Sequence, residues 1–319
     1  MQQLKKAISK AFIIYALLLT VTESVIDSIF DDLLLVQYKH NDIVKYMLLA
    51  AYIVLCIGAF IFFAYLFTKS ISKKISGEMH RQIEERNMIF TNIAHDLKTP
   101  ITSILGFSRA LKEKKMEQEK QLQLVDIIYE KSKHTSELIN TMFYYSKLET
   151  DGYELRFETL DICRLTRDIV ASQYEVMEER GIELEVEIPD EELIYPIDKV
   201  EYTRAVNNLL VNAYVHNKRG CSVLVRVEKD KNTEKLLVVV ADNGIQIADK
   251  LKDTLFDAFA SGDESRSSKG GSGLGLAISK SIVKKHGGNL IFMEPYQNYT
   301  KAFVIVLEGK IKHDKARKP

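Results

Sequence analysis

Tyr46 to Thr68 is a run of 23 residues without one charged side chain. Nothing else in the chain restricts its fold so strongly. As a helix, the run measures roughly 34 Å at 1.5 Å per residue, enough to cross a bilayer core of about 30 Å. The alternative is a buried core helix, but soluble helices of that length rarely lack any charge. A second apolar stretch, Ala11 to Thr22, is too short to span by itself. Extended to Phe30 it reaches the length of a span of about 20 residues, and it then encloses Glu23 and Asp27. From Val25 onward, Val25, Ile26, Ile29, Phe30, Leu33 and Leu34 recur at helical spacing, with Glu23, Asp27, Asp31 and Asp32 on the other side. The pattern predicts one helix that crosses the membrane over 11–30 and emerges as an amphipathic end. A cleavable signal peptide is the alternative reading, although no small-residue cleavage site stands out after Leu19.

The basic residues orient this hairpin. Lys5, Lys6 and Lys10 precede the first span, and Lys69, Lys73, Lys74 and Arg81 follow the second. The connection between them is mostly acidic. The positive-inside rule puts both termini in the cytoplasm and residues 31–45 outside, so the chain is expected in the cell membrane as a multi-pass protein. A connection this short cannot build its own ligand-binding domain. Formal net charge is zero, which gives no electrostatic support for a nucleic-acid partner. Cys56, Cys163 and Cys221 are scattered, with neither metal-ligand spacing nor a disulfide framework.

Beyond the second span, residues 69–87 read as a helix continuing out of the membrane. Around His95 the apolar pattern tightens. Phe90, Ala94, Leu97, Ile101, Ile104, Ser108 and Leu111 alternate steps of four and three, a heptad seam that demands another helix. His95 falls just off the seam and is expected to be exposed. Asp96 follows it, and Thr99 lies one turn further on the same face. Pro100 is expected to bend the helix. After a polar break at 112–119, a second run includes Leu124, Ile128, Thr135, Leu138, Met142 and Tyr145. Two helices cannot bury so narrow a seam alone, so residues 88–150 are expected to dimerise into a four-helix bundle.

From about residue 155 the pattern changes to an α/β layer that runs to about 310. Ile182–Ile188 alternates strictly and reads as a half-buried strand. Strands are also expected at 221–228, 235–241, 289–293 and 301–307, in a mixed or largely antiparallel sheet. Helices are expected at 161–180, 198–217 and 274–286. Residues 311–319 read as a basic tail. The fold class is therefore multidomain: two transmembrane helices, a helical-hairpin dimerisation domain, then an α/β sandwich.

Several short motifs carry chemistry. Asn208 and Asn212 lie one turn apart on a predicted helix, where their amide oxygens could hold a hard cation and its waters. A capping or solvated pair is the plainer alternative. Asp242 ends a buried-looking strand before Asn243-Gly244, where its carboxylate can accept from an exocyclic base amine; an ordinary Asp-Asn-Gly turn looks the same. Gly270 to Gly275 precedes a helix, and glycines there let backbone amides approach phosphates. The loop lacks the Gly-Lys-Ser/Thr of a P-loop and the preceding strand of a dinucleotide fingerprint. Phe256 to Phe259 lies between these motifs, and the small and charged residues that follow suit a lid.

Taken in order, these motifs resemble those of sensor histidine kinases over about residues 88–310. The run from Phe90 to Thr102 resembles the H-box, Asn208–His216 the N-box, Asp242–Gly244 and Gly271–Gly275 the two glycine boxes, and Phe256–Phe259 the F-box. The resemblance implies an ATP-dependent protein-histidine kinase of a two-component system. His95 would accept the γ-phosphoryl group, and Asp96 would hold the other ring nitrogen. Asn212 would bind Mg²⁺ with Asn208 in support. Asp242 would read adenine. Gly271, Gly273 and Gly275 would let the lid close, and His216, Gly244, Phe259 and Leu274 would complete the nucleotide site. Asp96 and Thr99 also match a phosphatase pattern, with Thr99 placing a water against a phosphorylated partner. The implied partners are the receiver domain of a response regulator, a second copy of the chain, the membrane, and a partner membrane protein that could deliver the signal.

The chain departs from the family pattern in places. Gln246 stands where a second glycine usually follows Asp-Asn-Gly. Val215 and His216 replace a common Lys-Tyr pair, and the glycine usual before Thr300 is missing. No HAMP domain fits between Thr68 and the H-box. Two alternatives stay open at this point: a degenerate kinase acting as a phosphatase or scaffold, and a non-kinase ATPase of the same nucleotide fold.

Overall fold

The structure is a computed structural model that describes residues 2–32, 42–113, 116–150, 152–215, 217–230, 233–259 and 273–308. It forms two compact units, Met1–Phe90 and Thr91–Pro319. Helix α1 covers Gln2–Asp32, and helix α2 runs without a break over Asp42–Glu113. Both are long and apolar enough to cross a membrane, over Lys6–Asp32 and Ile43–Arg81.

In the first unit the two helices run antiparallel, as their side-chain contacts show. Phe12 and Tyr15 meet Phe67 at 5.9 and 5.8 Å between ring centroids, while Phe30 meets Tyr52 at 4.7 Å. Outward-facing Ile13, Leu17, Val54, Phe60 and Ile61 are exposed. An apolar surface this continuous is unfavourable in water and natural against lipid. A polar contact joins the helices: the Tyr52 hydroxyl donates to Asp27 Oδ1 at 2.6 Å.

The second unit begins within α2. Its partner helix α3 spans Gln118–Leu148. Pro100 lies inside α2, where it withdraws the N–H that would otherwise bond the Asp96 carbonyl. Pro100, Thr135 and Leu138 are buried, whereas Ile101, Leu105, Leu122, Val125, Tyr129 and Phe143 remain exposed. Of the expected seam, Thr135 and Leu138 are buried and Ile101 stays exposed, and Leu105, Val125, Tyr129 and Phe143 add a further open apolar surface.

The α/β layer follows. Strand β1 (Glu158–Asp161) pairs with β3 (Ile194–Ile197) in a two-stranded sheet. Five strands form the main sheet: β2 (Glu183–Glu187), β4 (Ser222–Lys229), β5 (Leu236–Asp242), β6 (Asn289–Met293) and β7 (Lys301–Leu307), in the order β2-β4-β5-β7-β6. The β2–β4 pair is parallel and the others are antiparallel, so the sheet is mixed, as expected. Helices α4 (Ile162–Glu179), α5 (Lys199–Val215) and α7 (Gly275–Lys285) cover one face, and the four-residue α6 (Asp249–Lys252) lies between β5 and α7. Val223, Val225, Val227, Val238 and Val240 enter the core with Leu209, Leu210 and Val283. The alternate residues Leu224, Val239, Ala241, Ala302 and Val304 form a smaller core on the other face, against Tyr296 and Tyr299.

Local chemistry sets the helix starts. The Asp161 carboxylate accepts from the backbone N–H groups of Cys163 and Arg164 and so caps α4. Asp198 does the same for α5, accepting from Val200 and Glu201 N–H. Strands β1 and β3 and helix α6 are absent from the sequence reading. Each has only four residues, too few to show a period, and Pro196 within β3 argues against a strand unless it lies at an edge.

Candidate functional site

His95 sits on the exposed face of α2 with 67% of its side chain accessible. Its Nδ1 is 3.4 Å from Asp96 Oδ1. A carboxylate only accepts, so a hydrogen bond here requires the ring proton on Nδ1, the tautomer in which Nε2 carries the lone pair. Thr99, one turn on, is also exposed.

A second set of residues gathers at one end of the main sheet. Asp242 closes β5 and is 1% exposed. Its Oδ1 accepts three hydrogen bonds: from Asn217 Nδ2 at 2.8 Å, from Gly244 N at 3.0 Å and from Lys301 Nζ at 2.7 Å. The strand register creates the last contact, since Asp242 and Lys301 face each other across the β5–β7 pair. Lys301 is itself buried and also donates to the Ile245 carbonyl at 2.7 Å. Asn217 donates to the Ala213 carbonyl and accepts from Ile245 N, which ties the end of α5 to the turn after β5. Gly244 is required here for space: a Cβ on it would stand 1.7 Å from Asn217 Oδ1.

Helix α5 carries both asparagines of the expected cation site. Asn208 Nδ2 donates to the Gly275 carbonyl at 3.1 Å, so it holds α5 to the first turn of α7. Ser279 supports the same carbonyl and also bonds that of Ala205. Asn212, one turn further along α5, is half-buried, and its amide has no partner among the described residues. Phe259 and Gly273 flank the expected lid. The Phe259 N–H donates to the Gly273 carbonyl at 3.0 Å, and both residues have left-handed backbones (φ 64° and 63°). Leu274 is fully buried behind them. His216, Gly271 and the rest of the lid lie outside the described residues.

The structure therefore gathers Asp242 and Gly244 around one buried centre, and it joins Asn208 to Gly275. Asn217 and Lys301 belong to that centre and escaped the sequence reading. Asn217 looks like the solvated last residue of the helix expected over 198–217, and Lys301 looks like the charged start of a strand. Only the β5–β7 register reveals the pairing. Burial also pushes the nearby Cys221 thiol up, with the Asp242 charge adding to it, so this thiol is an unreactive packing group.

Comparison with known proteins fits this geometry. Residues 85–151 match the model of the His Kinase A (phospho-acceptor) domain, and residues 197–310 match that of the histidine kinase-, DNA gyrase B- and HSP90-like ATPase. Together the two matches cover more than half of the chain. The chain belongs to the sensor histidine kinases. This sensor kinase is 29% identical over 215 residues to the sensor histidine kinase WalK of Bacillus subtilis, covering 67% of this chain and 35% of that protein. It is 30% identical over 209 residues to the sensor protein GtcS of Aneurinibacillus migulanus, covering 65% and 56%. The match thus spans about a third to about a half of these two relatives. With YcbM, a sensor histidine kinase of Bacillus subtilis, it shares 27% identity over 74% of this chain and 76% of that protein.

Two solved structures share the fold. One is the histidine kinase AdeS of Acinetobacter baumannii (TM-score 0.54, 19% identity, 68% of this chain and 98% of that one). The other is the histidine kinase ThkA in complex with the response regulator protein TrrA (TM-score 0.57, 22% identity, 74% and 66%).

Proposed function

We propose that this chain is a membrane-bound, homodimeric histidine kinase. In this reading it moves the γ-phosphoryl group of ATP to His95 and then to an aspartate on a response-regulator receiver domain. The observation that carries the proposal is the exposed His95 ring, with its Nδ1 beside the Asp96 carboxylate; Asp96 would hold that nitrogen and leave Nε2 free to react. Nε2 would attack the γ-phosphorus as the bond to the bridging oxygen breaks, and ADP would leave. Asp96 would stabilise the positive charge that develops on the ring.

At the nucleotide end, the Asp242 carboxylate would accept from the adenine amine. Gly273 and Phe259 would serve as the two hinges of the lid, and backbone N–H groups at the start of α7 would face the phosphates. Asn212 would offer its amide oxygen to Mg²⁺. When bound, Mg²⁺ would neutralise charge on the transferring group.

Thr99 lies on the same exposed face as His95 and would position a water against the phosphorylated regulator. In the full-length chain in nanodiscs, Thr99→Ala should retain autophosphorylation and lose at least tenfold in regulator dephosphorylation. Equal loss of both activities would remove Thr99 from this role.

The signal is proposed to enter through the membrane hairpin, either directly or through a partner membrane protein. Both termini would lie in the cytoplasm. The Tyr52–Asp27 bond supports this reading, since an acidic group at membrane depth is costly and is kept for use. Replacing Glu23 and Asp27 by Gln and Asn should alter the stimulus response while basal autophosphorylation persists. An unchanged response in cells would end this part of the proposal.

A further inference from the structure

Lys301 is a buried cation at the end of the nucleotide domain that reading adenine through Asp242 alone does not use. It is 5% exposed, and its ammonium has three N–H donors. One goes to Asp242 Oδ1 and one to the Ile245 carbonyl, each at 2.7 Å. Among the described residues the third has no acceptor. Asp242 is similarly half-used. Its Oδ1 takes Asn217, Gly244 and Lys301, while Oδ2 has no donor among the described residues. An unfilled acceptor and an unfilled donor therefore stand side by side, fixed by the β5–β7 register.

We infer that Lys301 is a specificity-determining residue of the nucleotide site, donating to N1 of adenine while Asp242 Oδ2 accepts from the adenine amine. The inference rests on the proposed ATP reading and deepens it. The Watson–Crick edge of adenine carries a donor at the exocyclic amine and an acceptor at N1, which complements the Asp242–Lys301 pair. Guanine and hypoxanthine present the reverse order, an acceptor at O6 and a donor at N1. They would set O6 against the carboxylate and N1–H against the ammonium. Because both protein groups are buried, a mismatched base leaves them unpaired, and discrimination is correspondingly strong.

The test measures binding of ATP and of 1-deaza-ATP, which has C–H in place of N1, to the full-length chain in nanodiscs. Wild type and Lys301→Met are compared, with Lys301→Arg as the conservative control. Wild type should bind ATP at least about tenfold more tightly than 1-deaza-ATP, as a lost bond to a charged donor requires. Lys301→Met should bind ATP more weakly and should no longer distinguish the two. Lys301→Arg should keep part of the preference. A merely structural lysine would weaken both nucleotides alike and leave their ratio unchanged. Equal binding of the two nucleotides by wild type would overturn the inference, and that arm needs no variant to fold. No binding of ATP at all would instead overturn the nucleotide reading beneath it.

Discussion

At the scale of single residues, the site depends on close approaches that leave no spare room. Gly244→Ala should drive the new methyl group into Asn217 and break the bonds Asn217 makes to Asp242, Ala213 and Ile245. We expect a loss of about 2–3 kcal/mol in stability, read by chemical denaturation, together with weaker ATP binding. A second residue gives the fold a pH response. His286 is buried, with Nδ1–H donating to the Ile282 carbonyl and Nε2 accepting from the Asp198 N–H. Burial holds its pKa below the usual value, although the Ile282 bond and the Asp198 and Glu201 charges act against that shift. The unfolded chain then takes up this proton first as pH falls. Its contribution to stability is present above about pH 6.5 and is lost as pH drops toward the lower folded value. Thermal unfolding should show Tm falling from pH 7 to 5, with a shallower slope in His286→Gln. The contacts of His286 and Lys301 are not visible in the sequence. His286 lies at the end of a helical pattern like any surface histidine, and Lys301 opens a strand like any edge lysine. Their partners are 88 and 59 positions away, and only the folded register brings them together. Short motifs mark Asp242, Gly244 and Asn212 in the sequence, and the structure brings Asp242 and Gly244 into contact.

At the scale of elements, periodicity made most of the fold readable. Helices α4, α5 and α7 show a period of 3.6 because each buries one face, and β2 alternates along the sequence, whereas β4, β5 and β7 read as strands from short, nearly unbroken apolar runs, since the sheet carries a core on both faces. Strands β1 and β3 carry no such pattern, being four residues long and defined by each other. The junction between α3 and α5 was equally hidden. There Glu201, buried on α5, accepts from the Tyr144 and Tyr153 hydroxyls, while the Arg204 guanidinium lies 3.6 Å over the Tyr144 ring. Burial first, and then the Glu201 bond, push Tyr153 up to about 12 and Tyr144 higher still, so both hydroxyls remain donors throughout the physiological range. Glu201→Ala should leave these hydroxyls without their acceptor. Hydrogen exchange across Glu149–Phe157 should rise at least tenfold, with little change in the strands of the main sheet. Unchanged exchange would mean that Leu148, fully buried at the end of α3, holds the junction without them.

At the scale of the whole molecule, the described residues include exposed apolar surfaces on the membrane hairpin and on the helical hairpin of α2 and α3, and each indicates a different surrounding. The outward face of the α1–α2 hairpin suits lipid. The face carrying Leu105, Val125, Tyr129 and Phe143 suits a second copy of the chain. Placing Glu at Leu105 and Val125 together should convert the proposed dimer to monomer, as read by light scattering in detergent, with the main sheet intact by circular dichroism. The heptad pattern announced that a partner helix was needed. It did not announce that part of the seam closes within the hairpin, because one spacing serves both contacts. The central claim is that His95 and the Asn212 end of α5 work on the same phosphoryl group. Its most direct test is autophosphorylation of the full-length chain in nanodiscs with γ-labelled ATP and Mg²⁺, beside His95→Ala and Asn212→Ala. Acid-labile, alkali-stable label is expected on the wild type and none on either variant. Label that survives His95→Ala, or ATP hydrolysis by the wild type without any phosphohistidine, would contradict it.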